Sequence, residues 1–273
     1  MAHYIPIQKE SHLNAGFTPI KNLSFAAGMT TVPIVIEEIS HVIEQMSIAL
    51  QKVSSNGDTF YELVAIQSLT PQSNLFVLDD GRWIGEYKPA FYRAHPFSLR
   101  PDDHKKQLNL CIANEYVVEE PTQDDARFFD DSEEFSPRIK EITDFLAHSL
   151  RGRKITLDAC EVLNKANLLA PWPIKYSEPD KQNKPQPKTL NGLYHIDKKV
   201  LNTLSAEALK QLHSCGALEV AFAQIFSEPR LKKLTTLQTI HRQIKKKHLK
   251  QEITTQEPDL DSLFGNNDDL FSF

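Results

Sequence analysis

The sequence predicts an α+β fold, with an antiparallel sheet-rich N-terminal lobe packed on a helical C-terminal lobe and a disordered acidic C-terminal tail. Three observations predict this fold. Short β-prone runs separated by turn residues dominate positions 1–118. Apolar residues at steps of three and four, which are typical of helices, dominate positions 135–250. The final stretch, 251–273, is polar and acidic, a composition that does not bury a core by itself.

The length and composition predict one cooperative domain. The chain has 273 residues, with 40% hydrophobic and 25% charged residues. We assign residues 1–250 to a single domain, with lobes at about 1–118 and 135–250 and an acidic surface connector at 119–134. Without the later helices the apolar face of the sheet would be uncovered, so the lobes are expected to fold together.

The N-terminal half reads as strands and turns around one long helix. Apolar residues such as Ile39, Val42 and Met46 form a helical stripe, and Asp80-Gly81 between two β-prone runs indicates a hairpin. Pro89 suits the first turn of a short helix, and Pro96 ends it. The predicted elements are strand 32–36, helix 37–53, turn 54–58, strand 60–66, hairpin runs 75–78 and 82–84, helix 89–94, and strands 108–113 and 115–118.

The C-terminal half reads as helices. Ser136-Pro137 marks a helix start, Ser205 is a candidate N-cap, and Gly216 lies where a C-terminal glycine is expected. The predicted elements are helices 136–150 and 156–166, an extended break at 170–174, a polar loop at 177–189, strand 190–196, helix 206–214, a largely buried helix 217–226, and a last helix from 228 that ends in the cluster Lys245–Lys247.

Composition also limits the classes of function. The net charge of −5 gives no general attraction to nucleic acid, and no apolar run is long enough to span a bilayer. Three scattered cysteines without a CxxC pair favour a reducing compartment, and the N-terminus lacks a signal-peptide pattern. We therefore expect a soluble cytoplasmic protein with neither nucleic-acid binding nor a membrane span.

Apparent metal and catalytic motifs have simpler interpretations. His195 and Asp197, with a later His213 or His241, imitate a facial metal triad, but ten histidines give such matches by chance. Cys215 near a helix C-terminus is better explained as a small packed residue than as a nucleophile. The sequence therefore predicts no metal site, no cofactor and no catalytic constellation.

The candidate binding residues fall into two groups. Trp83, Tyr87 and Arg93 are of the types that interaction hot spots use, and equally of the types found at the edge of a core. The tail carries apolar anchors that would dock on a partner, on this protein's own surface, or on nothing. These anchors are Leu263, Phe264, Leu270, Phe271 and Phe273.

Several segments together resemble the SapC-like family of bacterial proteins, over roughly residues 15–240. The chain departs from the family pattern at His95 and His195, where relatives usually have Tyr and Arg, so neither histidine is expected to have a shared chemical role. The segments that carry the resemblance are Tyr61-Glu-Leu-Val-Ala65, Asn74-Leu-Phe-Val, Asp80-Gly-Arg-Trp-Ile-Gly85, Tyr87-Lys-Pro-Ala90, Arg93-Ala-His-Pro-Phe97, Leu110-Cys-Ile112, Leu168-Leu-Ala-Pro-Trp-Pro173, Leu190-Asn-Gly-Leu-Tyr194 with Ile196-Asp197, and Leu204-Ser205 leading into Gly216-Ala-Leu218.

The resemblance implies an accessory role and no established reaction. Members are often encoded near outer-membrane receptors and flavin-dependent halogenase-like enzymes. The leading hypothesis is therefore a non-catalytic cytoplasmic accessory protein that binds another protein, such as a halogenase-like enzyme or an outer-membrane-receptor uptake system. Two alternatives stay open: an enzyme or small-ligand-binding protein with a pocket near Trp83, Tyr87 and Arg93, and a surface-layer-related protein.

Overall fold

The computed structural model confirms the α+β class. It describes residues 3–55, 57–102, 107–179, 182 and 184–255, with side chains described in the last helix only at 231–241, 243 and 244. The chain divides into two compact units, Met1–Leu234 and Thr235–Phe273. All of the described sheets and the candidate site lie in the first unit. The described part of the second unit continues the last helix.

The helices of the described chain range from single turns to one of 29 residues. They are α1 (Lys9–His12), α2 (Ile39–Val42), α3 (Ala90–Ala94), α4 (Pro137–Lys165), α5 (Lys198–Asn202), α6 (Ala206–Ser214), α7 (Ala217–Ser227) and α8 (Leu231–Thr255).

The described strands are mostly short. They are β1 (Tyr4–Pro6), β2 (Gly16–Phe17), β3 (Thr31–Pro33), β4 (Ser47–Ser55), β5 (Asp58–Ile66), β6 (Phe97–Pro101), β7 (Leu108–Ala113), β8 (Val117–Val118), β9 (Ala126–Arg127), β10 (Leu169–Pro171), β11 (Ile174–Pro179), β12 (Pro185–Leu190) and β13 (Leu193–Ile196).

The described strands form antiparallel sheets. A five-stranded sheet has the order β10-β13-β4-β5-β3, and a three-stranded sheet has the order β1-β7-β6. A second small sheet, β8-β2-β9, and the hairpin β11-β12 complete the set. Because β10 and β13 follow the long helix in sequence yet pair into the five-stranded sheet, the C-terminal half supplies strands as well as helices.

The β4-β5 hairpin is the longest strand pair, and it corrects the predicted helix 37–53. Its register runs from Ser47↔Ile66 to Ser55↔Asp58. The segment is instead a 3₁₀ turn at Ile36–Glu38, the single-turn helix α2, and then β4. Positions 47–50 are buried on both faces of the strand. A strand covered on both faces loses its period-two alternation, so its apolar run resembles part of a helical stripe.

Helix α4 corrects a second prediction, because the expected helices 136–150 and 156–166 are one continuous helix. Ser136 Oγ accepts from the backbone N–H of Ile139, and Pro137 occupies the first turn, as the sequence predicted. Gly152 lies inside the helix without ending it. Thr156 Oγ1 donates to the carbonyl of Gly152 at 2.8 Å and accepts from the backbone N–H of Ile36 at 3.0 Å. The helix therefore anchors the 3₁₀ turn.

The acidic segment 119–134 contributes to the core, although it was expected to be a surface connector. Phe128 is fully buried and Phe129 is 6% exposed. Phe128 stacks on Phe17 at 5.7 Å between ring centroids, and its cluster includes Ile139 and Leu146 of α4. Aspartates lie on either side of the two phenylalanines in the sequence. The acidic composition of the segment therefore gave no indication that the two rings are buried.

The expected hairpin around Asp80-Gly81 is reduced to a tight turn. Gly81 has φ +80°, a left-handed conformation that favours glycine, and its N–H donates to the Leu78 carbonyl at 2.8 Å. Only one bridge, Val77↔Trp83, joins the two flanks in the described chain. The turn chemistry is therefore confirmed, whereas the two strands predicted beside it do not form.

Of the remaining predictions, those of helix ends are confirmed, whereas several predicted loops and strands differ from the structure. Helix α6 has Ser205 as its N-cap, and Gly216 takes φ +77° between α6 and α7, as expected. The predicted polar loop 177–189 is largely the hairpin β11-β12, and 115–118 is a 3₁₀ turn followed by β8. The predicted strand 32–36 ends at Pro33. Helix α7 packs on α4 and β4, yet its Phe222 and Phe226 are 43% and 69% exposed.

Replacing Phe128 tests whether the acidic segment belongs to the core. We expect Phe128→Ala to lower the free energy of unfolding by about 3–5 kcal/mol, because it leaves a cavity against Phe17 and Ile139. Urea denaturation followed by circular dichroism measures the change. Phe226→Ala is the matched control, with an expected change of less than about 0.5 kcal/mol. Equal effects of the two substitutions would contradict the core assignment.

Candidate functional site

A cavity of about 390 Å³ lies where the five-stranded sheet, the β1-β7-β6 sheet and helix α4 meet. Its walls are mainly apolar and come from the segment after β3, from α3, from β6 and from α4. The apolar wall residues are Ile34, Val35, Ala94, Phe97, Leu99 and Leu146. Its volume lies at the lower end of the range of about 300–1,000 Å³ found for small-ligand pockets.

Two exposed hydrophobic side chains also line the cavity. Phe91 of α3 is 46% exposed and Leu150 of α4 is 39% exposed. Exposed apolar side chains of this size, next to an apolar concavity, are typical of a binding site rather than of a closed core. The cavity is therefore a candidate ligand site that opens to solvent beside Phe91 and Leu150.

Glu38 is a buried carboxylate in the cavity wall, with only 4% exposure. Its Oε1 accepts from the backbone N–H of Ala90 at 2.6 Å and from the hydroxyl of Tyr87 at 2.9 Å. Its Oε2 accepts from the backbone N–H of Val35 at 3.1 Å. These three bonds compensate for the burial of the charged group and fix the 3₁₀ turn against the start of α3.

Tyr87 and Arg93 form the layer behind Glu38. An Arg93 guanidinium N–H donates to the Tyr87 hydroxyl at 3.0 Å, and the guanidinium carbon lies 5.0 Å from the centre of the Phe145 ring. Burial and the neighbouring Glu38 raise the pKa of Tyr87 to about 12, so its hydroxyl keeps its proton. Neither residue lines the cavity. The sequence-predicted pair therefore supports a wall residue of the site.

Trp83 lies apart from Tyr87 and Arg93, against the aromatic core. Its ring stacks on Phe76 at 5.4 Å and meets the edge of Tyr92 at 5.7 Å. Its indole N–H is buried and has no acceptor among the described residues. The Tyr92 hydroxyl in turn donates to Gln67 and accepts from Asn74, inside the core. Trp83 thus occupies the edge-of-core position that was one of its two predicted roles.

Glu62 of β5 and Arg153 of α4 form an ion pair in the cavity wall. The carboxylate is the inner partner, because the Glu62 side chain is 12% exposed whereas that of Arg153 is 41% exposed. Glu62 Oε1 is buried and contacts the guanidinium without the geometry of a hydrogen bond. The pair therefore places one buried carboxylate, compensated by one more exposed cation, at the cavity.

His95 lines the cavity as an uncharged ring. It stacks on Phe25 with ring centroids 3.8 Å apart, and one of its ring nitrogens lies 3.3 Å from the Tyr116 hydroxyl. Burial lowers the pKa of His95 below its usual value near 6.5, so the ring is neutral at pH 7.

Sequence reasoning missed Glu38, Glu62 and Arg153, the charged residues of the cavity wall. Glu62 carried a usable signal, since it is the one charged residue in the strand Phe60–Ile66, inside a segment that carries the family resemblance. Glu38 carried only a weak signal, because many surface helices begin with paired glutamates. Arg153 is one of several cations along α4. Only the tertiary structure distinguishes it from the others.

The other residues that the sequence suggested as metal ligands or nucleophiles do not line this cavity. His195 stacks on Trp172 and lies 3.4 Å from Glu228, while Asp197 caps α5. Within the described residues no three metal-ligating side chains converge. Cys111 and Cys160 are buried, and burial raises both thiol pKa values, that of Cys160 to about 12. The tail anchors Leu263, Phe264, Leu270, Phe271 and Phe273 lie outside the described residues.

Comparison with known proteins gives a family match. The family model described as SapC matches residues 7–234. No curated protein and no solved structure matches the chain significantly. In the described part of the chain, no helix combines the length and the apolar character that crossing a membrane requires.

Removing the Tyr87 hydroxyl tests the support of Glu38. We expect Tyr87→Phe to lower the free energy of unfolding by about 1–3 kcal/mol, because a buried carboxylate loses one of its three donors. Chemical denaturation provides the measurement. Tyr176→Phe is the control, since no hydrogen bond of its hydroxyl is described, and we expect a change of less than about 0.5 kcal/mol. If the two variants were equally stable, Tyr87 would not support the site.

Proposed function

The chain belongs to the SapC family, and we propose that it binds a small, largely apolar ligand in the cavity beside Glu38 and Glu62. The observation that carries the proposal is the open apolar cavity with Phe91 and Leu150 exposed beside it. Apolar walls with a few polar groups are characteristic of ligand sites. This is the binding alternative of the sequence analysis, with its site moved from Trp83, Tyr87 and Arg93 to the neighbouring cavity.

We place this activity in the bacterial cytoplasm. The family resemblance supports a bacterial protein, and the scattered cysteines support a reducing compartment. The acidic net charge argues against a nucleic-acid partner. Cell fractionation tests the location, and recovery of the protein at the cell surface would instead favour the surface-layer alternative.

Filling the cavity tests the binding proposal. We expect 1-naphthalenemethanol, an uncharged aromatic probe, to bind the wild-type protein in a fluorescence titration. Ser149→Phe places a ring in the cavity wall and is expected to weaken binding at least about ten-fold, which corresponds to about 1.4 kcal/mol.

The control for this experiment is a substitution of the neighbouring residue. His148→Phe introduces the same ring on α4 at an exposed position that does not line the cavity, so its affinity should equal that of the wild type. Absence of binding to the wild-type protein would overturn the proposal. Equal binding by Ser149→Phe would show that the probe lies elsewhere.

A second role, as an accessory protein that binds another protein, is favoured by the exposed face of α7. Phe222 and Phe226 stack on each other with ring centroids 6.0 Å apart, and 43% and 69% of their surfaces are exposed. Aromatic residues, phenylalanine among them, are enriched at protein–protein interfaces relative to the rest of the surface. The family resemblance suggests a flavin-dependent halogenase-like enzyme as the partner.

Direct binding measurements test this second role. We expect the purified chain to bind a halogenase-like enzyme from the same organism in biolayer interferometry. The double variant Phe222→Ala, Phe226→Ala should bind at least about ten-fold more weakly, as loss of hot-spot residues predicts. Ile155→Ala, which removes an exposed apolar side chain from α4, is the control. Binding that is absent, or unchanged in the double variant, would reject the role for this face.

A further inference from the structure

We infer that the ligand of this cavity carries a basic amine at one end of its apolar body; the inference rests on the proposed function. The charged side chains in the cavity wall are Glu38, Glu62 and Arg153. Two carboxylates therefore face one guanidinium, and the ring of His95 is neutral at pH 7. A ligand ammonium group would balance the charge, whereas a ligand carboxylate would add to the excess.

Glu62 is the residue that would receive the amine. Its Oε1 is buried against the Arg153 guanidinium, and its side chain lines the cavity. Its one charged partner in the described chain, Arg153, lies on the more exposed side of the pair. A largely buried carboxylate with a single charged partner gains from a second N–H donor that carries positive charge.

Glu38 contributes negative charge to the cavity wall but offers few free acceptor sites to a ligand. Its two oxygens already accept three hydrogen bonds from Val35, Tyr87 and Ala90. Arg93 reaches Glu38 only through the Tyr87 hydroxyl, and it is itself exposed to solvent. Water around the exposed guanidinium weakens its interaction with the distant carboxylate, so the inner wall of the cavity stays acidic.

The apolar walls determine the rest of the ligand. Phe97, Leu99 and Leu146 line the cavity around the carboxylates, so they favour an aromatic or aliphatic body. An apolar body bound against these walls would displace water from the cavity, which would strengthen the attraction between a carboxylate and an ammonium group. The cavity thus combines hydrophobic burial with one charged contact, the combination that an apolar primary amine satisfies.

A matched probe series tests the inference. 1-Naphthalenemethylamine, 1-naphthalenemethanol and 1-naphthoic acid share one aromatic body and differ in charge. At pH 7 and low salt we expect the amine to bind at least about ten-fold more tightly than the alcohol, with the acid weakest. Isothermal titration calorimetry measures the three affinities. An amine that binds no more tightly than the alcohol would overturn the inference.

Substitution of Glu62 tests whether this residue causes the preference for the amine. Glu62→Gln is expected to abolish the advantage of the amine over the alcohol, measured for both probes on the same variant. Glu141→Gln makes the same charge change on exposed α4 surface and should keep the full preference. An amine preference that survives Glu62→Gln would overturn the assignment to Glu62. If Glu62→Gln does not fold, the wild-type probe series alone still decides whether the site prefers amines.

Failure of the inference and failure of the proposed function give different results. If the alcohol binds and the amine has no advantage, the cavity is a ligand site and only the amine inference is wrong. If none of the three probes binds, the proposed ligand site itself is wrong, and the inference falls with it.

Discussion

The burial of one carboxylate, Glu38, holds together the part of the molecule that carries the cavity. A charged group with 4% exposure is tolerated only when its oxygens are hydrogen-bonded, and three segments supply the donors. The 3₁₀ turn, the Tyr87 loop and the start of α3 are consequently tied to one point. Since the cavity is bounded by two of these segments, its shape depends on a polar contact rather than on apolar packing alone.

Helix α4 provides the second constraint, because it contacts both larger sheets. Ile139 and Leu146 join the aromatic cluster around Phe17, whereas Ala159, Cys160 and Leu163 are fully buried further along the helix. Contacts with β5 and β6 place its middle, where Ser149 and Arg153 lie, against the cavity. One helix therefore supplies part of the core and one wall of the candidate site.

Local chemistry made part of the fold predictable from the sequence. Ser136, Ser205 and Gly216 specify helix ends through hydrogen bonds with near neighbours, and Gly81 specifies its turn through its own backbone. Strand β4 and the burial of Phe128 were missed because they depend on residues far away in the chain. Positions 47–50 are buried because residues distant in the sequence, among them those of α7, pack on β4.

The sequence indicated residues beside the candidate site but not the charged residues that line it. The dense stretch around Tyr87 and Arg93 lies next to the cavity, because Tyr87 donates to Glu38 and Arg93 donates to Tyr87. Glu62 and Arg153, in contrast, are 91 positions apart in the sequence, and only the packing of α4 on β5 joins them. Their ion pair combines two ordinary surface-type residues, so no local pattern distinguishes them.

The continuity of α4 has a dynamic consequence. A helix of 29 residues is about 43 Å long, and packed secondary structure generally opens for amide hydrogen exchange in cooperative units rather than residue by residue. A molecule bound in the cavity, at the middle of α4, would suppress the opening of the helix toward both of its ends. The turns near Ile139 and those near Leu163 would then gain protection together, although neither touches the cavity. The helix would thereby carry the effect of a bound molecule to its contacts with β5 and with β6, which lie in different sheets.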